Sequence, residues 1–198
     1  MKLRYLVIGL LLVVVVTYGI LAVLVLNLRG RGSGGAPGFT AKEAHPAALR
    51  EARAWQEDCQ LVSLNASWRG ADAELLVEDE EVNWSVAYFS PRTRSLGIFA
   101  VTSRAAQLVD TRDVSPNTRT IEADSWQVDS PQVLASFLNQ GGRDLLAQDP
   151  GATVSLRLGP GEAEDSMTWL AIGISSDKKT TVTVQVDPAS GQVLAASR

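Results

Sequence analysis

Cys59 and His45 are the residues from which a thiol nucleophile would have to be built, because the chain carries one cysteine and one histidine. Such a pair works only when the imidazole can take the thiol proton across a hydrogen bond. If both sit on one helix, the 14 positions between them correspond to about 21 Å of rise, too far to touch. A Ser–His–Asp triad would depend on the same His45, and no Gly-x-Ser-x-Gly elbow is present. Cys59 therefore reads as a half-buried structural thiol near a helix end. His45, just ahead of Pro46, reads as an exposed residue at a helix start.

Carboxylates come in two runs, Glu78-Asp79-Glu80-Glu81 and Glu162-Ala163-Glu164-Asp165. Facing acids could hydrolyse a glycoside or hold Ca²⁺. Neither run has the Asp/Asn-Gly spacing of an EF-hand loop, so both read as solvated turns. One histidine and one cysteine exclude multi-histidine and cysteine-rich metal centres. Gly30-x-Gly32-x-x-Gly35 nominally matches a dinucleotide fingerprint. That motif needs a strand before it and a helix after it, and here Pro37 follows. Asn65-Ala66-Ser67 and Asn83-Trp84-Ser85 match glycosylation sequons but fall in expected strands. No catalytic, cofactor-binding or metal-binding residue is assigned, and no cofactor is expected.

Charge narrows the partners. The 18 basic residues include Lys2, Arg4, Arg29 and Arg31, and every one of the 22 acidic residues lies after Phe39. The body from Thr40 onward thus carries 14 bases against 22 acids, a net −8. That sign repels nucleic-acid phosphates and anionic lipid, so no nucleic-acid partner is expected.

The elements that would position these groups begin with Leu6 to Leu26, 21 residues of which 18 are hydrophobic. As a helix it is about 31 Å long, the thickness of a bilayer core. It is longer than a signal-peptide apolar region, and Ala36-Pro37 makes a poor cleavage site. It reads as an uncleaved membrane anchor. The positive-inside rule slightly favours a cytoplasmic N-terminus with the body outside. The Gly/Ser/Pro-rich stretch that follows reads as a flexible linker. The expected division is 1–28 anchor, 29–39 linker, 40–125 first module and 126–198 second module.

Each module shows one pattern. A helix opened by proline comes first, at Pro46 with Ala48, Leu49, Ala52 and Trp55, and at Ser130-Pro131 with Val133, Leu134, Phe137 and Leu138. Gly141-Gly142 weakens the second. Strands follow at 61–68, 82–89 and 95–101, and at 152–159, 167–174 and 180–186. Pro46 to Pro131 and Trp84 to Trp169 are both offset by 85 residues, while Val62 to Val154 is offset by 92. Val182, Val184 and Val186 alternate with Thr181, Thr183 and Gln185, which predicts one buried and one wet face. About 70 residues per module makes a marginal core, so the two should pack together. Trp84 and Trp169 read first as core residues and second as ligand or partner contacts.

The last strand runs into Asp187-Pro188-Ala189-Ser190-Gly191 and then Gln192-Val193-Leu194. Asp and Pro start such a turn and Gly supplies its positive φ. With the preceding helix and the Trp169 strand, this hairpin resembles the closing hairpin of PepSY and PepSY-like domains over 131–195. The first module, with Tyr88 to Val101 as its hairpin, matches in outline. The resemblance implies a cystatin-like fold, so the expected α+β architecture is an N-terminal transmembrane helix followed by two modules, each a helix packed on its own antiparallel sheet. It also implies a non-catalytic, extracytoplasmic interaction or regulatory module acting on another envelope protein, a peptidase or the cell-wall machinery. The alternatives are a sensor or carrier holding a small ligand between helix and sheet, and a carboxylate-dependent hydrolase. The sequence sets no oligomeric state.

Overall fold

Helix α1 (Ala41–Trp55) starts earlier than its proline suggests. Thr40 caps it, accepting from the Glu43 N–H at 3.3 Å, while the Glu43 carboxylate takes the Thr40 N–H at 2.8 Å. This reciprocal capping box fixes the start five residues before Pro46. The proline therefore sits inside the helix, with no N–H to offer the Lys42 carbonyl. The computed structural model describes residues 39–70, 82–103, 105–163 and 166–198.

Four strands follow α1: β1 (Gln60–Arg69), β2 (Trp84–Ser90), β3 (Ser95–Val101) and β4 (Ala106–Asp113). A connector with a 3₁₀ turn at Ala123–Ser125 leads to α2 (Ser130–Phe137). Asp129 caps α2, and Pro131 falls in its first turn. At Leu138–Gly142 the helix opens into a π-turn in which Gly141 takes φ 116°. α3 (Arg143–Gln148) resumes beyond it, so Leu145 and Leu146 follow the break. Strands β5 (Thr153–Pro160), β6 (Met167–Ile174), β7 (Thr181–Val186) and β8 (Val193–Ser197) complete the chain.

All eight strands form one antiparallel sheet in the order β4-β3-β2-β1-β5-β6-β7-β8. This corrects the expectation of two modules with a sheet each. β1 and β5 pair from Leu64↔Leu158 to Arg69↔Thr153, and the sheet runs unbroken through that seam. The reason is physical. A four-stranded sheet standing alone would leave β1 or β5 as an edge of unpaired N–H and C=O groups. Joining them satisfies those groups and stacks Leu64 on Leu158, Ala66 on Leu156 and Trp68 on Val154.

The three helices pack into a common core with this sheet. The core there is continuous from Ala41 in α1 to Val186 in β7. β7 buries Val182, Val184 and Val186 on it and leaves the intervening residues outward, as its alternation predicts. α1 meets the sheet through Ala41, Ala44, Ala48 and Ala52, each fully buried, while the bulk comes from strand aromatics beneath. On the opposite face a smaller cluster joins Ala87, Phe89, Leu96 and Ile98.

The anchor and localisation need a second correction. The described helices have 15, 8 and 6 residues, against about 20 for a membrane span. Among the described residues no helix is long and apolar enough to cross a membrane. Leu6–Leu26 and the linker up to residue 38 lie outside the described residues. The single-pass arrangement with a cytoplasmic N-terminus is accordingly withdrawn. The acidic run 78–81 also lies outside them.

Candidate functional site

The two tryptophans singled out by the sequence are wholly buried, at 1% and 0% exposure. Each carries out the same task in its own half. Trp84, opening β2, donates its indole N–H to the Phe39 carbonyl at 2.8 Å. Trp169, in β6, donates to the Val128 carbonyl at 3.0 Å. Phe39 and Val128 each stand one residue ahead of a helix cap, Thr40 and Asp129. Each indole thus pins the start of the helix above it to the sheet. The two helix starts also touch: the Asp129 carboxylate accepts from the Ser130 N–H at 2.7 Å and from the Lys42 N–H at 3.1 Å. One carboxylate therefore serves the positive ends of both helices.

Between these pins lies an aromatic row that spacing along the chain could not show. Trp55 meets Phe99 at 6.1 Å between ring centres, Phe99 meets Tyr88 at 5.8 Å, and Tyr88 meets His45 at 6.3 Å. His45 then meets Trp126 at 5.7 Å, and Trp126 meets Trp169 at 6.1 Å. His45 is consequently not an exposed residue at a helix start. It is a half-buried bridge where α1, β2 and the connector converge. Burial is the main reason its basicity falls below the ordinary histidine value; Arg53 adds to that fall and Asp124 works against it.

Two polar atoms of this row, and one outside it, lack partners. Among the described residues the Tyr88 hydroxyl, the Trp126 indole N–H and the Trp68 indole N–H are buried without a hydrogen-bond partner. Burial raises the Tyr88 phenol far above its usual range, with Cys59 adding to the rise. Cys59 lies beyond the end of α1, half-buried, so the single-helix distance to His45 does not apply. Burial pushes the Cys59 thiol up, and its neighbouring charges are Arg53 and Asp58. A thiol whose ionisation is disfavoured by burial lacks the thiolate character of an activated nucleophile.

The other surface with chemical potential is the pair of sheet edges. β4 carries Asp110, Arg112 and Asp113, with Arg112 Nε bonded to Asp110 at 3.0 Å, and its pairing to β3 shifts at Ile98/Phe99. Charges and a bulge of this kind guard an edge. β8 reads Val-Leu-Ala-Ala-Ser, without charge, and exposes four of its five residues. A bulge opposite Gln185/Val186 leaves Leu194 unpaired and 55% exposed. The hairpin behind it is firmly set. Asp187 accepts from the Ala189 and Ser190 N–H groups at 2.7 and 2.8 Å, and Gly191 has φ 78°. The Pro188 carbonyl takes the Gln127 and Val128 N–H groups, and Arg198 reaches the Gln140 carbonyl at 3.2 Å.

No known family matches the sequence, and no curated protein matches it. The PepSY resemblance is therefore without a family match. Among solved structures the chain is similar to a "putative lipoprotein" from Clostridium difficile 630, with TM-score 0.52 and 11% identity. The match covers 78% of this chain and 91% of that one. Neither half of this chain supplies 78% of its length, so the likeness takes in strands from both sides of the β1–β5 seam. What the two chains share is this fold.

Proposed function

We propose that the chain is a non-catalytic interaction module that binds and regulates another protein of the cell envelope, with β8 as the docking edge. The observation that carries this reading is the contrast between the edges, β4 guarded by charge and β8 open. An extended segment added to β8 would gain main-chain hydrogen bonds and cover Leu194. The fixed Asp187–Gly191 turn holds that edge ready, which lowers the ordering cost of binding. The envelope as location is supported by the lipoprotein designation of the C. difficile chain.

A photo-crosslinking residue at position 194 should trap a defined envelope protein, and one at Leu108 on β4 should trap none. Ala195→Lys and Ser197→Lys place a charge on the open edge and should abolish the trap. Both sites are exposed, so the melting temperature should stay within about 2 °C of wild type. Equal trapping from positions 108 and 194, or trapping unchanged by the lysines, would sink the proposal.

A further inference from the structure

We propose that His45 is a pH-sensitive latch: protonating its imidazole loosens α1 from the sheet while the strands and α2 stay formed. The inference is independent of the β8 edge and rests on where the side chain is held.

His45 stands where α1 crosses Tyr88 of β2 and Trp126 of the connector. An imidazolium has two N–H groups to satisfy, and no described protein group bonds the half-buried His45 ring, whose nitrogens are left to the solvent at its open side. What faces it is mostly ring. The Trp126 indole offers a donor and no acceptor, and the buried Tyr88 hydroxyl is far from ionising. The charged groups acting on it are Asp124 from the 3₁₀ turn, which favours the cation, and Arg53 of α1 itself, which opposes it. Cys59, in the turn before β1, bears on Tyr88 and is kept protonated by burial. Ring faces attract a cation, but they cannot replace the water it would lose. Burial decides the balance in favour of the neutral form.

α1 is also less able than α2 to absorb that penalty. Its buried stripe is four alanines and its ladder is interrupted at Pro46, the residue after the latch. α2 instead buries Val133, Leu134 and Phe137. With the folded state favouring neutral His45, the docking of α1 is complete above the histidine's ordinary value of 6.5. It weakens as pH falls through the lower folded value.

The chain has a single histidine, so the imidazole NMR signals of the untagged protein report its titration without ambiguity. The expected midpoint lies below 6.5. Across it, amide-exchange protection in 47–55 should fall relative to α2, and His45→Gln should keep α1 protected over the same range. Three outcomes would overturn the latch: no loss of protection in α1, an equal loss in α1 and α2, or the same loss in His45→Gln. Should that variant fail to fold, the comparison of α1 with α2 in the wild type decides alone.

Discussion

Trp84 and Trp169 are single side chains that do the work of a clamp. Each indole lies in the core with its N–H on the carbonyl ahead of a helix cap, and that carbonyl loses its partner if the ring becomes phenyl. Trp84→Phe and Trp169→Phe should each lower the unfolding free energy by roughly 1–3 kcal/mol, measured by urea denaturation. Tyr88→Phe provides the contrast. Its hydroxyl is buried and unpartnered, so its removal should cost less than about 1 kcal/mol or stabilise slightly. A larger loss at Tyr88 than at the tryptophans would contradict this assignment of bonds. The burial of both tryptophans was legible in the sequence, because each lies in an apolar strand. Their partners were not, since Phe39 and Val128 lie 45 and 41 residues away along the chain.

Among the elements, α1 shows how a local signal misleads. Proline favours a helix's first turn, and Pro46 read that way moves the start five residues too far along. The true start lies in Thr40 and Glu43, a capping box spaced by three residues. An interior proline costs a helix up to about 3 kcal/mol relative to alanine. Pro46→Ala should therefore raise stability by about 1–3 kcal/mol, seen as a higher urea midpoint and slower amide exchange in α1. No gain would mean that Pro46 itself helps seat the helix on its aromatic floor. β4 escaped the sequence reading for a different reason. Its three charges mask the alternation of Ala106 and Leu108, and as an edge strand it has one neighbour to satisfy. β3 and β6 carry dense apolar runs, and for them the expected and observed boundaries coincide.

At the scale of the whole molecule, the helix-then-four-strands order occurs on both sides of a continuous seam. One core cluster extends from α1 to β7, so neither half can lose its packing while the other keeps its own intact. Thermal unfolding of residues 39–198 should follow one transition with equal calorimetric and van't Hoff enthalpies. Two resolved transitions would instead mean separable modules. The common fold with the C. difficile chain, which extends beyond either half, agrees with treating the two halves as one sheet.

The sequence by itself determined the phase of most strands, the existence of both helices, the Asp187–Gly191 turn and the acidic balance of the body. These follow from residue types and periods of two or 3.6, which covalent order carries directly. Only the tertiary structure decided that β1 pairs with β5, that His45 lies among Tyr88 and Trp126, and that β8 is the uncharged edge. Backbone N–H and C=O groups are alike along every strand, so the choice of neighbour is made by which pairing buries Leu64, Ala66 and Trp68 against β5. That is a property of the assembled sheet.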